Sequence, residues 1–226
     1  MRILALDTSS GVSTVAVLDD ERVLAEEEGP GQGRHGETLV PRIRAAMEAA
    51  QTSFDAIELI AVGTGPGSFT GLRVGLATAK GLALSTGVAL RGVCSLATLA
   101  RAALAEGVAE AGATAAVVCD AQRGEVFVAA YADAAGGVLR AVLSPGCGKP
   151  QEALARLHAA LNAEAPTRRV VLCGDGAARH RDDVVRALRD GGATVSVDSS
   201  PLRARFVAEE ARLAFEREGP SDLDTL

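Results

Sequence analysis

Apolar residues in the first half of the chain follow two periods, which indicate a mixture of strands and helices. Short apolar runs separated by turn-length gaps predict an opening antiparallel meander of three strands. Helical spacing of apolar residues then alternates with two further buried runs. The predicted order is therefore βββαβαβα. In that order the segments are 3–7, 13–19, 22–28, 36–50, 57–63, a helix ending near 86, 88–93 and 95–105.

The second half repeats the same order of elements with almost no shared residues. Three strand-like runs again come first, and helices and strands alternate after them. The Gly- and Ala-rich stretch 105–113 lies between the two halves and is the natural boundary. The predicted segments are 114–120, 125–132, 138–144, 151–162, 168–174, 177–190, 193–198 and 203–218.

This repeated plan predicts an α/β protein with a duplicated βββαβαβα fold of the actin-like/Hsp70-like (ASKHA) ATPase class, in two subdomains. Proteins of that class hold a nucleotide between the halves, although a fold alone does not fix a function. The predicted domains are an N-terminal, partner-docking subdomain at 1–105, a C-terminal subdomain at 106–202, and a C-terminal helix at 203–226 that can pack back on the first subdomain.

A glycine-rich loop, 63-GTGPGSFTG-71, leads directly into a helix. A P-loop needs GxxxxGK[ST], whose lysine reaches the phosphates, and this loop has no lysine at that place. The dinucleotide pattern GxGxxG is also broken. The loop is therefore predicted to be a tight strand-to-helix turn in which Ser68 or Thr70 caps the helix. The alternative is an anion site, which glycines before a helix N-terminus can form in principle.

The helix after this loop has two apolar faces. At about 100° per residue, Leu72, Leu76, Ala79 and Ala83 share the face expected to pack on the sheet. The second face is small and apolar, so it needs a cover, either from the neighbouring helix or from another polypeptide. The predicted partner interface consists of Gly71, Val74, Thr78, Gly81, Leu82 and Ser85.

Two hairpin turns and a glycine turn stand where an actin-like ATPase binds its nucleotide. The first turn has Ser9 in place of the expected glycine, and the others match only in part. They are ordinary turns or degenerate nucleotide positions, and no catalytic residue is predicted. The degenerate positions are Asp7, Thr8, Ser9, Asp120, Gly174 and Gly176.

Composition and charge exclude several other functions. The histidines His35, His158 and His180 stand alone, without the HxxxH spacing that places two imidazoles on one helical face, so no metal is expected. The net charge of −6 argues against tight binding of nucleic acid by this chain alone. No apolar run reaches the roughly 20 residues needed to cross a bilayer. The four separated cysteines are expected to be core residues of a cytoplasmic protein.

Four motifs in the sequence form a more specific signature. They are ILALDTSS at 3–10, RHGETLVP at 34–41, GTGPGSFTGLRVGLATAKGLA at 63–83 and DAQRGEVF at 120–127. With these motifs the chain resembles the TsaB (YeaZ) family of bacterial tRNA threonylcarbamoyladenosine biosynthesis proteins. The resemblance is strong over about the first 130 residues and weak after them.

This resemblance implies a non-catalytic subunit of the machinery that makes N6-threonylcarbamoyladenosine (t6A) at position 37 of tRNA. The expected partner is a TsaD-type paralogue, which transfers the threonylcarbamoyl group from threonylcarbamoyl-AMP and carries the ATP and the metal. A TsaE-type ATPase joins through the complex, the chain is expected to form homodimers as well, and tRNA is contacted only indirectly. The alternatives are a free-standing, glycoprotease-like metallopeptidase and an ATP-dependent kinase of the same fold.

Overall fold

A computed structural model gives the architecture of the chain. The chain divides into two compact units, one formed by Met1–Thr98 with Leu202–Leu226 and the other by Leu99–Pro201. The structure describes residues 1–31, 34–106, 112–134, 137–164, 169–180, 182, 185–186, 194–197 and 201–226.

The first unit is built on a five-stranded sheet of order β3-β2-β1-β4-β5. The first three strands form an antiparallel meander, and β4 and β5 run parallel to β1. The central strand β1 is a continuous apolar run that is buried on both faces of the sheet, as expected for a strand covered on both sides. The strands are β1 (Arg2–Asp7), β2 (Val12–Asp19), β3 (Arg22–Pro30), β4 (Leu59–Gly63) and β5 (Ala89–Val93).

Helices α1 (His35–Ala49) and α2 (Phe69–Thr86) cover one face of this sheet. Their apolar residues share a core with the side chains of β1 and β2 that point to that face, such as Leu4 and Val15. The last helix, Ala204–Glu218, packs on β1, β2 and β5 of the same sheet. Because side chains alternate along a strand, the residues between those of the first core face this helix.

The second unit repeats the sheet plan in the order β10-β9-β6-β7-β8. Helix α4 packs on β7 and β8, and helix α5 packs on β6. Valine and leucine side chains fill the core between α4 and the sheet. The elements are β6 (Thr114–Gln122), β7 (Glu125–Asp133), β8 (Leu139–Gly148), α4 (Pro150–Glu164), β9 (Arg169–Cys173), α5 (Asp175–Arg179) and β10 (Thr194–Val197). Helix α3 spans Ser95–Glu106, and the last helix, Ala204–Glu218, is α6.

The duplicated α/β fold predicted from the sequence is confirmed. The boundary between the units falls within α3, whereas the sequence analysis placed it at 105/106. Strand β8 is longer than predicted and includes Pro145, which an edge strand tolerates because one side needs no ladder hydrogen bonds. The cysteine prediction is wrong for Cys147, which lies exposed on this strand. Of the predicted segments, residue 168, much of the helix 177–190 and residues 193 and 198 lie outside the described residues.

Candidate functional site

The turn between β1 and β2 carries the first set of predicted nucleotide positions. Asp7 is buried, and its Oδ1 accepts a hydrogen bond from the Ser9 backbone N–H at 2.6 Å. Its Oδ2 accepts a bond from the Ser95 hydroxyl at 2.6 Å. Burial raises the pKa of the Asp7 carboxyl, and the bonds from Ser9 and Ser95 oppose that rise. Both carboxylate oxygens are therefore already bonded within the first unit.

The glycine-rich loop packs directly on this turn. A Cβ atom at Gly63 would lie 1.7 Å from the Asp7 Oδ2, and one at Gly67 would lie 2.2 Å from the Ser9 carbonyl oxygen. The Ser68 N–H donates to that same Ser9 carbonyl at 2.7 Å. A glycine is needed at Gly63 and Gly67 because any side chain there would overlap the turn. The loop is thus held by protein groups of its own unit.

The start of α2 continues this close approach. The Thr8 hydroxyl donates to the Gly71 carbonyl at 2.7 Å, and a Cβ at Gly71 would lie 2.0 Å from the Thr8 carbonyl oxygen. A Cβ at Gly75 would lie 2.3 Å from the Thr8 Oγ1. The Ser68 hydroxyl accepts a bond from the Gly71 N–H, so the predicted Ser68 cap is confirmed. The four-residue spacing of Gly67, Gly71 and Gly75 was a sequence signal for this contact that the motif comparison missed.

His35 completes the surroundings of the turn. It is the first residue of α1 and is only 4% exposed, and its imidazole lies against Gly31 and Gly71. Burial lowers the pKa of His35, while the nearby Asp7 carboxylate opposes that shift. His35 is thus a packing residue of the first unit. Ser95, the first residue of α3, bridges Asp7 and the Gly65 N–H through its hydroxyl.

The second unit contains a matching arrangement of the other nucleotide positions. The Asp120 N–H donates to the Asp175 carboxylate at 2.9 Å, and the Asp120 carboxylate pairs with Arg179 at 2.9 Å. A Cβ at Gly174 would lie 2.4 Å from the Val118 carbonyl oxygen, and Gly174 has a φ of +96°. A Cβ at Gly176 would lie 2.9 Å from the backbone carbon of Cys119 and 3.0 Å from the Asp120 N. The structure thus groups Asp120, Gly174 and Gly176 within one unit, as it groups the positions near Asp7 within the other.

The face that helix α2 presents to the sheet is only partly the predicted one, because Ala79 and Ala83 are buried as predicted but Gly71 and Gly75 complete that face. Leu72 and Leu76 are only half-buried, although Leu76 still packs against the core. The prediction that Gly71 lies in the partner interface is wrong, because Gly71 is buried against Thr8. Glycine and alanine let the helix backbone approach the sheet more closely than leucine does, so the side of α2 with the smallest side chains faces the sheet. The buried residues of α2 are Gly71, Gly75, Ala79 and Ala83.

The other predicted interface residues of α2 are exposed or half-buried. Gly81 and Ser85 are exposed, and Val74 is half-buried. Thr78 and Leu82 line a groove of about 370 Å³ between α1 and α2. The groove is largely apolar, and its α1 side carries Val40, Ile43, Arg44, Met47 and Glu48.

Three large apolar side chains of α1 and α2 are exposed to solvent. Phe69 is 73% exposed, Leu84 72% and Val40 59%. The Arg73 guanidinium lies over the Phe69 ring at 5.4 Å, a cation–π contact at the start of α2. We name this surface the α1–α2 face; it consists of Val40, Phe69, Val74, Ala77, Thr78, Gly81, Leu82, Leu84 and Ser85.

Two searches of the described part of the chain bear on other kinds of site. Within it, no group of three His, Cys, Asp or Glu side chains lies close enough together to hold a metal ion. None of the helices in these residues combines the length and the apolar character needed to cross a membrane.

Comparison with protein families places these features in context. A family model described as "TsaD: tRNA N6-adenosine threonylcarbamoyltransferase" matches residues 31–183. The chain is 38% identical over 132 residues to the tRNA threonylcarbamoyladenosine biosynthesis protein TsaB of Escherichia coli, and 34% identical over 131 residues to TsaB of Bacillus subtilis. The chain belongs to the TsaB/YeaZ family. It spans about half the length of these two curated relatives, 55% of each.

Other relatives of this TsaB-family chain extend the match. An uncharacterized protein of Mycobacterium bovis is 34% identical over 155 residues, which are 68% of this chain and 70% of that protein. The solved structure of YeaZ from Pseudomonas aeruginosa has a TM-score of 0.80 at 25% identity and covers 99% of this chain and 96% of its own. A ROK hexokinase from Thermus thermophilus, at a TM-score of 0.56 and 16% identity over 94% of this chain and 99% of its own, shares the fold alone.

Proposed function

We propose that this chain is a non-catalytic subunit of the tRNA t6A37 synthesis machinery, which docks through its α1–α2 face on a TsaD-type transferase. The observation that carries the proposal is the exposed apolar surface of this face, in a chain whose E. coli and B. subtilis relatives are named as t6A biosynthesis proteins. Exposed apolar patches are typical of interaction sites.

The chemistry of the face suits a protein partner. Small residues such as Ala77 and Gly81 allow a facing helix to approach closely, and large apolar side chains such as Leu84 fill the space beside them. The charged groups on the α1 side are largely satisfied locally, since Arg44 pairs with Glu48 at 2.7 Å. Burying the face therefore removes apolar area from water without leaving many charges unpaired.

The absence of catalysis is a second part of the proposal. An actin-like ATPase uses a free carboxylate at the first hairpin, and here both oxygens of Asp7 are bonded to Ser9 and Ser95. The glycine loop lies against the same turn and leaves no room for a side chain at Gly63 or Gly67. We therefore assign the ATP and the metal to the TsaD-type partner, and no cofactor to this chain.

The remaining partners follow from the same assignment. A TsaE-type ATPase would join through the transferase, and tRNA would be held by the complex, whose location would be the cytoplasm. The α1–α2 face could also pair with a second copy of this chain, so that homodimer and heterodimer would compete for one surface.

Co-expression with the TsaD-type paralogue of the same organism tests the proposal. Ala77→Arg puts a long charged side chain at the exposed centre of the face, where it would hold two helices apart. We expect the variant to stay folded by circular dichroism, to lose co-purification with the paralogue, and to lose t6A in a strain that depends on this gene.

Ala159→Arg is the matched control, because Ala159 is exposed on α4 of the second unit. It makes the same substitution on a helix that is not part of the α1–α2 face and should leave both readouts unchanged. A folded Ala77→Arg variant that still co-purifies would show that the transferase docks elsewhere. Equal loss of co-purification and of t6A in both variants would show that the effect is not specific to the α1–α2 face.

A further inference from the structure

The edge strand β5 is covered by the segment that follows helix α6. On one side β5 pairs with β4, and it has no second neighbour among the described strands of its sheet. The free backbone groups of such an edge are a template for pairing with a strand of another chain. Residues 219–226, which we name the C-terminal strap, lie along this edge.

Two hydrogen bonds join the strap to the backbone of β5. The Ser221 N–H donates to the Leu90 carbonyl at 2.8 Å, and the Gly92 N–H donates to the Ser221 hydroxyl at 3.1 Å. Leu90 and Gly92 are alternate residues of the strand, so their backbone groups point to the same side. The Arg91 guanidinium adds a bond to the Gly219 carbonyl at 3.0 Å.

Apolar contacts seat the strap beside the strand. Leu223 and Leu226 are partly buried against the core of the first unit. A Cβ atom at Gly92 would lie 2.3 Å from the Leu226 Cδ1, so the strap needs a glycine there. The backbone of Gly92 does not need one, because its φ is not positive. Lys80 of α2 also donates to the Leu226 carbonyl, at 2.6 Å.

We propose that the C-terminal strap is an intramolecular edge cap, which keeps β5 from pairing with β5 of a second copy of this chain. An uncovered β5 would present a short, mostly apolar strand, ALRGV, with one charged residue. Two such edges related by a twofold axis pair antiparallel and are self-complementary. The strap forms hydrogen bonds with the Leu90 carbonyl and the Gly92 N–H, which would otherwise be free to bond to the second β5.

Leu226→Asp in the full chain tests this cap, because a carboxylate is poorly accommodated in the apolar seat beside Gly92. Thr225→Asp is the matched control, since Thr225 is exposed one residue earlier and gains the same charge. We expect hydrogen exchange at the Gly92 and Ser221 amides to rise on the order of tenfold in Leu226→Asp relative to the control. Sedimentation should show self-association that increases with protein concentration.

The exchange experiment at high protein concentration locates that association. In Leu226→Asp at high concentration, the amides of residues 89–93 should again be protected from hydrogen exchange, while those of 219–226 should not. This pattern distinguishes pairing of β5 edges from association through the α1–α2 face. Gly92→Val, which fills the leucine seat and keeps the strap sequence, should act like Leu226→Asp, and it decides the result if that variant does not fold. Two results would overturn the proposal. One is unchanged amide hydrogen exchange in Leu226→Asp, and the other is faster exchange at β5 that does not slow again at high protein concentration.

Discussion

A Cβ atom added to Gly71 would lie 2.0 Å from the carbonyl oxygen of Thr8, whereas one added to Gly81 would meet no atom within 4 Å. The two glycines lie on the same helix, and the sequence analysis assigned both to a partner interface. Their neighbours differ because Gly71 belongs to the side of α2 that meets the β1–β2 turn. One glycine of this helix is therefore required by packing, and the other is not.

Gly71→Ala should destabilise the chain by about 1–3 kcal/mol, because the new methyl group forces α2 away from the turn. Gly81→Ala should instead stabilise it by roughly 0.5–1 kcal/mol, since alanine restricts the unfolded chain and favours the helix. Urea unfolding of both variants measures the difference. Equal effects at the two positions would mean that the contact between α2 and Thr8 contributes little to stability.

Residue identity alone predicted some of these environments and not others. Ser68 has the side chain of a helix cap, which it proves to be, whereas the argument from the missing lysine against a P-loop stays a prediction. Ser95 also has that side chain, but its hydroxyl binds Asp7, 88 positions away in sequence. A contact at that separation depends on how β1 and α3 meet, which no local pattern contains.

At the scale of elements, α2 shows how the usual rule for amphipathic helices fails when one side is made of glycine and alanine. The rule takes the largest apolar residues, Leu72 and Leu76, as the buried face. The helix instead buries every fourth residue from Gly71 to Ala83, all of which are glycine or alanine. These small residues let the helix backbone come close to the sheet, so that van der Waals contacts form without large side chains. The order of strands and helices was predictable from apolar runs such as residues 3–6 of β1, but the rotation of α2 about its axis was not.

The rotation of α2 predicts opposite outcomes for one substitution at two neighbouring positions. Ala79 is fully buried, and Ala77 is exposed. Ala79→Arg would bury an unpaired guanidinium between α2 and the sheet, and we expect it to unfold the first unit. Ala77→Arg should leave the free energy of unfolding within about 0.5 kcal/mol of that of the original chain, as exposed substitutions do. Thermal unfolding followed by circular dichroism compares them, and a stable Ala79→Arg variant would contradict the buried stripe.

At the scale of the whole molecule, the same fold plan is used twice, and in both units the turn that follows the first strand is packed by glycines. Gly63 and Gly67 approach the turn at Asp7, and Gly174 and Gly176 approach the turn at Asp120. These contacts use backbone atoms and small residues, so the two halves keep the plan while sharing almost no sequence. The glycines are therefore part of the fold itself, which is consistent with the non-catalytic role proposed above.

Charge also acts at the scale of the whole molecule, and it predicts weak binding of tRNA by this chain alone. The chain has 29 acidic residues and 23 lysines and arginines. Several arginines already pair with carboxylates, as Arg2 does with Asp19, Arg140 with Glu164 and Arg179 with Asp120. Binding that releases counterions from tRNA needs free cations grouped on one surface.

Titration of unmodified tRNA with the isolated chain, followed by fluorescence anisotropy, should therefore show no saturable binding at physiological salt. Any binding at low salt should weaken steeply as salt is added, because a few dispersed contacts to phosphates are screened. The complex with the TsaD-type partner is the positive control and should bind under the same conditions. Submicromolar binding by the chain alone would mean that the acidic average hides a basic surface, and that this subunit itself positions the tRNA.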